Sequence, residues 1–452
     1  MDYTPYTFLT DLGWISILLL VGKLVRAFVP FAQRLMLPSA MTAGILGVIF
    51  GPGWLDLIPF SDQLGTYSAI LIAVVFAAMP YSESFGKVSK GARTMWAYST
   101  AMYVLQWGLA LLFSFTVLAL FFNLPDAFGL MLPAGWAGGF GTAAAIGGSL
   151  EHAGFEGATS LGFTSATMGV FVCIIGGLAI ARWGATTGKT TESLRPDELP
   201  SEMKTGLISL IGKRPSIGTA TSSPSSLDSL ALHFAVIALT TFLGYVLVTG
   251  INAVFPMVSI PLFGAAFAVG LVGRLIVQRT RAKRYIDSQT VGSLSGSATD
   301  LLVAFGIASI VPAIVLDYAL PLGILLAFGL VYCILIFRFL TPKMFGQAWF
   351  ERGLFSWGWS TASVATGLAL LKIVDPRGKS RTIEDYSLAY VGFAPIEIAM
   401  AIVAPVLVTT GFGWPYIITC LVTGVAVIVL AFALGWTRST PAPLDNVAVA
   451  TK

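Results

Sequence analysis

The sequence predicts an all-α polytopic membrane protein: two inverted five-helix repeats, each with a re-entrant hairpin, plus one extra C-terminal transmembrane helix. Three observations lead there. Of the 452 residues, 56% are hydrophobic and only 11% are charged. A soluble domain carries about a quarter charged residues, so polar surface is too scarce for a water-soluble body, and the mean hydropathy of +0.84 agrees. Apolar runs of about 20 residues, the length that crosses about 30 Å of hydrocarbon as a helix, recur along the chain. Two further apolar stretches are broken by small residues. An ordinary cytosolic enzyme, a nucleic-acid binder and a disordered scaffold are excluded.

The elements follow in order. Runs at 10–28, 38–58, 66–82 and 95–122 precede the first broken stretch, 128–150, and the run 160–183 follows it. The segment 184–227 is rich in Ser, Thr and Pro with mixed charge, and reads as a flexible cytoplasmic connector. Runs at 228–250, 258–277, 291–311 and 318–340 then precede the second broken stretch, 347–371, with 383–410 after it. The repeats are therefore 1–183 and 228–410, and 411–452 holds an additional span at 415–436 and a tail, for eleven spans in all. Net charge is +4, too small to argue for an acidic partner. Cys173, Cys333 and Cys420 each lie inside an apolar run, as packing residues do; scattered and odd in number, they do not suggest a disulfide framework. The acidic start does not read as a cleavable signal peptide.

Charge decides how the broken stretches run. Lys and Arg stay on the cytoplasmic side. If both broken stretches enter the membrane and return, all 26 Lys and Arg fall on one side: Lys23, Arg26 and Arg34; Lys87, Lys90 and Arg93; Arg182 through Arg214; Arg274 through Arg284; Arg338, Lys343 and Arg352; Lys372 through Arg381; and Arg438 with Lys452. The other side carries the acids Asp2, Asp11, Asp56, Asp62, Asp126, Glu151, Glu156 and Asp317. The expectation is a hairpin dipping from outside at 128–150 and one from inside at 347–371, with the N-terminus out and the C-terminus in. Each repeat has an odd number of spans, so the two are opposed. Two echoes accompany this order: Leu37-Pro38 with Ile260-Pro261, and Gly135-Trp136 with Gly358-Trp359. Inverted repeats with two discontinuous elements meeting near the midplane describe a secondary transporter.

Irregular backbone at membrane depth is tolerated where it lines a cavity or is buried in protein. In the first hairpin Gly138, Gly139, Phe140, Gly141 and Thr142 allow close approach, and the helix that follows aims free N–H groups at an anion such as a carboxylate. The second offers hydroxyls at Ser360, Thr361, Ser363 and Thr366, suited to a small hard cation. Plain helix packing is the competing account of the same small residues. Two mid-span carboxylates, Asp300 and Glu397, have no Lys or Arg in their own spans. Each suits a coupling cation, Na⁺ or H⁺, or a protonated acid bonded to a carbonyl. Glu83 reads as solvated at a span end. His152 and His233 have no ligand set around them, so no metal site is expected. The chain has no Walker A, HExxH or GxSxG constellation, so an enzyme is not expected.

At these residues the chain resembles the sodium:glutamate symporter family, ESS, over roughly 12–410. The glycine-rich hairpin, then Ala166-Thr167-Met168-Gly169 and Gly176-Gly177, carry the likeness, with Gly22-Lys23-Leu24-Val25 and Leu37-Pro38 before it and Ile396-Glu397-Ile398 after. The resemblance implies Na⁺-coupled glutamate import by a homodimer with an elevator motion. It also implies Na⁺ as the coupling ion and no other cofactor, and it adds Thr167 to Glu397 and Asp300 as cation-coupling candidates. This chain departs from the family at Phe140, where His is usual; at Ser360 and Ala362, where Gly is common; at Glu397, where Asp is usual; and at Asp300, which is additional. The leading expectation is Na⁺ symport of glutamate or a similar small carboxylate. Others are an H⁺-coupled carrier of another organic anion and, in a different class, a channel, which cannot concentrate a solute.

Overall fold

The computed structural model describes residues 4–82, 90–190, 201–208, 214–254 and 261–438. Asp2, Glu83, Lys87, Ile260 and Lys452 lie outside the described residues, as do 191–200 and 209–213 of the connector. The described residues form helices and no strand. They are α1 (Pro5–Phe28), α2 (Pro30–Arg34), α3 (Ser39–Phe50), α4 (Leu64–Ser82), α5 (Lys90–Thr116), α6 (Met131–Gly135), α7 (Gly139–His152) and α8 (Ala158–Thr186). Then come α9 (Ser201–Thr205), α10 (Ser229–Val254), α11 (Leu262–Arg279), α12 (Ser288–Ala308), α13 (Pro312–Asp317), α14 (Ala319–Leu335) and α15 (Thr341–Phe345), the last two joined by a π-helical turn. The chain ends with α16 (Trp349–Thr361), α17 (Val364–Val374), α18 (Thr382–Thr409) and α19 (Gly413–Ala433).

Ten helices among the described residues are long and apolar enough to cross a membrane. The sequence leads to eleven, and the difference is the run 38–58. Its helix, α3, stops at Phe50 after 12 residues, about 18 Å at 1.5 Å per residue. Gly51 closes it by donating to the Gly47 carbonyl, and Pro52 has no N–H to carry the ladder on. Even so, α3 runs along α1 from Gly22, which packs on Ser39, toward Leu18, which lies beside Gly47. Asp11 is not a solvated outer acid. It is buried, accepts from Ser61 through both backbone and hydroxyl, and is joined by the Tyr67 hydroxyl at 3.2 Å.

Small residues set the packing. Gly270 of α11 meets Ala77 and Pro80 of α4, and Gly44 of α3 meets Ala304 and Ile307 of α12. Among the longer helices, α5 and α16 are the most buried. α5 meets α19 through Gly108 against Cys420 and Gly424 against Leu105, while α8 takes Trp357, Leu370 and Phe350 against Gly176, Gly177 and Gly184. α1, α10 and α19 turn large apolar side chains such as Leu20, Phe242 and Val422 outward, which lipid can cover and water cannot.

The described parts of the connector are anchored, which a flexible coil would not be. Lys23 donates to the Gly206 carbonyl and Arg26 to that of Met203, both at 2.6 Å. Thr219 N–H reaches Asp287 at 3.0 Å, and the Thr221 hydroxyl reaches the Tyr285 carbonyl at 2.8 Å. His233 is fully buried, with Nδ1 at 2.6 Å from the Ser229 carbonyl and Nε2 accepting from Asp287 N–H at 2.8 Å. Asp287 lies between spans. Burial raises its pKa, but bonds from the Thr290 hydroxyl and the Thr219 and Thr290 N–H groups, with His233 nearby, outweigh this and hold it below the usual carboxylate value.

Candidate functional site

Both broken stretches are broken helices. In the first, α6 gives way at Trp136 and α7 begins at Gly139, whose φ of +68° suits glycine. Gly138 N–H returns to the Pro133 carbonyl and Gly139 N–H to that of Trp136, at 2.9 and 3.1 Å. That leaves the N–H groups of Phe140 and Gly141 in the first turn of α7, where a helix has no internal acceptor. α7 then runs back along α8, with Ala143 against Gly162 and Gly147 against Thr159.

The second break falls at Ala362 and Ser363. Ser363 caps α17: its hydroxyl accepts from Thr366 N–H at 3.3 Å, and Thr366 Oγ1 accepts from Ser363 N–H at 3.1 Å. α16 and α17 lie backbone to backbone through Gly358 and Gly367. The two breaks meet. A Cβ added to Gly139 would sit 2.9 Å from the Ala362 carbonyl oxygen, and Gly169 of α8 packs on the Thr361 carbonyl.

Around this meeting lies a cavity of about 550 Å³, within the size range of small-molecule sites. Its wall brings together Gly138, Gly139, Phe140, Gly141, Ser363, Thr366, Asp300 and Glu397. Ser363 and Asp300 are exposed to it, while Glu397 is half-buried and within electrostatic reach of Tyr103. Four candidates from the sequence are not on this wall. Thr142 is buried, the Ser360 and Thr361 hydroxyls turn back to the Trp357 carbonyl, and the Thr167 hydroxyl donates to the Phe163 carbonyl. A hydroxyl inside a helix finds its own i−4 carbonyl more readily than a ligand.

Three contributions escaped the sequence reading. Arg26, from the end of α1, lines the cavity while donating to the Leu37 and Met203 carbonyls. Lys23, from the same helix, lies within electrostatic reach of Asp300. Gln106 of α5, buried, touches both breaks. For Arg26 the signal was available: it is a cation inside the last turn of an apolar run. For Gln106 it was also there, as a lone amide in a long apolar helix.

These features define a polytopic helical membrane protein built around an internal cavity walled by two broken helices. A sequence model of the sodium/glutamate symporter family matches residues 7–367. That is more than half of the chain, which therefore belongs to the sodium/glutamate symporter family. Membership carries membrane transport, symport, sodium and an amino-acid substrate at the level of the family. The match ends within α17, so Glu397 and the last two spans lie beyond it. No curated protein and no solved structure gives a match.

Proposed function

We propose that the cavity is the Na⁺-coupled site for glutamate or a similar small carboxylate, carried by an elevator-type alternation of access. One observation carries this reading: both breaks, Asp300 and Glu397 share one cavity in a chain of this family. The N–H groups of Phe140 and Gly141 suit the substrate carboxylate. Glu397, the Ser363 and Thr366 oxygens and the Ala362 carbonyl suit the cation. Each hydroxyl in the cap still has lone-pair capacity.

Charge counting supports cation coupling. Among the described residues Arg26, Asp300 and Glu397 line the cavity, and Lys23 lies within electrostatic reach of Asp300, so the wall holds no net positive charge for an anion. An anionic substrate is then left without a compensating charge, which cations entering with it supply. Bringing a monoanion into a negative interior costs about 2.3 kcal/mol per 100 mV, and two or more Na⁺ reverse that sign.

The same reading takes 128–150 and 347–371 as re-entrant hairpins of two inverted repeats, entering from outside and inside. Pro38 and Pro261 fit it, each standing immediately before its helix, α3 and α11. In this reading α3 and α11 form the scaffold of a homodimer, the N-terminus is outside, and the basic residues face the cytoplasm.

The test is uptake of labelled amino acids and organic acids into proteoliposomes, with and without a Na⁺ gradient. Glutamate accumulation should require Na⁺ and carry net charge. Glu397→Gln should abolish it while the protein still inserts; normal uptake by that variant would make the acid structural. A second reading, an H⁺-coupled organic-anion carrier, draws on the two carboxylates sharing one wall. Uptake driven by a pH gradient and indifferent to Na⁺ would establish it in place of the first.

A further inference from the structure

Gln106 lies in the middle of α5 and is 1% exposed. Its side-chain oxygen accepts from Ala137 N–H at 3.3 Å, and its side-chain nitrogen donates to the Ser360 carbonyl at 3.2 Å. The same nitrogen is 3.8 Å from Cys333 Sγ on α14. Ala137 sits in the break between α6 and α7, and Ser360 in the last turn of α16. A peptide N–H can only donate and a carbonyl can only accept, so the amide has one satisfactory orientation and a flip would lose both bonds.

Breaking a helix strands backbone groups that the ladder would have paired. Gln106 supplies a partner to one such group in each broken helix. It does so from an unbroken helix and with one rigid planar group. The segments joined are 223 residues apart in sequence, at 137 and 360. A shift of either break relative to the other leaves a buried donor or acceptor unpaired, a state that buried groups avoid.

We propose that Gln106 is a positioning residue that couples the two breaks, so that the cation ordering one of them raises the affinity of the other for the substrate. The coupling rests on the site reading above; the fastening does not. Two ligands of opposite charge in one cavity attract each other directly, and an element whose arrangement both of them bias adds to that coupling. The amide bridge, with the close approach of Gly139 to Ala362, is such a connection.

The test uses full-length purified protein and two readings. Gln106→Met keeps the length of the side chain and removes both bonds. By hydrogen exchange, peptides spanning 136–141 and 358–364 should both open at least about tenfold faster, while 375–385, where Asp375 accepts from the Lys379 and Ser380 N–H groups at 2.8 and 2.9 Å and Asp385 pairs with Arg352 at 2.6 Å, stays unchanged. In equilibrium binding of labelled glutamate, the affinity gained on saturating Na⁺ should shrink at least about tenfold, or about 1.4 kcal/mol, with less change in Na⁺-free affinity. Faster exchange in one break or neither would overturn the fastening, and an undiminished Na⁺ gain would overturn the coupling. If wild-type protein shows no Na⁺ effect on glutamate, the site reading fails instead, the coupling fails with it, and exchange alone judges the fastening. Should Gln106→Met not fold, Gln106→Asn, one methylene shorter, gives the same two readings in milder form.

Discussion

The two broken helices solve one problem by different chemistry. The first breaks on glycine: Gly139 takes a left-handed φ of +68°, and the stranded N–H groups of Gly138 and Gly139 fold back onto the carbonyls of Pro133 and Trp136. The second has no positive φ. It breaks at Ala362 and Ser363 and closes the new helix with the reciprocal Ser363–Thr366 cap. The first depends on the absence of side chains, so its free groups are backbone donors. The second depends on side chains, so its own hydroxyls satisfy its donors and what faces the cavity is oxygen. The contrast gives the cavity a donor end and an acceptor end without a dedicated charged residue at either tip.

The sharpest way to break this comparison is substitution at the glycine. Gly139→Ala forces a left-handed backbone on a side chain, at about 1–2 kcal/mol, and sets a Cβ 2.9 Å from the Ala362 oxygen. Glutamate uptake should fall tenfold or more, since about 1.4 kcal/mol is a factor of ten. Ala362→Gly, at a negative φ of −151° and adding no side chain, should change uptake far less. Equal losses at the two positions would erase the distinction.

Labelling gives the next largest contrast. Cys173, Cys333 and Cys420 are buried, so an added cysteine reports alone. Ser363→Cys, exposed on the cavity wall, should react with a small polar thiol reagent and be protected by glutamate. Thr142→Cys, at a position 3% exposed, should stay inert. Reaction at Thr142→Cys without reaction at Ser363→Cys would reverse the assignment of the wall.

The smallest effect concerns the cap. Ser363→Ala should destabilise the second break by about 1 kcal/mol, and Ser363→Gly by only a few tenths. Denaturant unfolding in detergent measures both. No difference between alanine and glycine would mean that the cap contributes little there.

Much of this was legible in the chain. Apolar runs of the right length announce helices because hydrocarbon leaves a backbone no other way to pair its groups. Gly138 through Gly141 marked the first break and the small residues of 358–367 the second, where Ser363 and Thr366 were read as oxygen donors. Asp300 and Glu397 stood out because carboxylates are costly in a span. Gly138 through Gly141, Ser363, Thr366, Asp300 and Glu397 all line the cavity.

Apart from one local feature, what the sequence could not reach depended on neighbours distant along the chain. The run 38–58 was too short as a helix because Pro52 ends the ladder, a local fact that an average over hydropathy hides. Thr142, Ser360, Thr361 and Thr167 carry the right chemistry, yet their rotamers and burial turn them from the wall. Lys23 reaches Asp300 and Arg26 the cavity only because α1 packs beside α3 and α12, and Gln106 bridges the two broken helices only because α5 passes beside both. Period and composition fix which segments are helical and where they fail. Which groups then face one another is a matter of packing, and packing joins residues that no sequence interval relates.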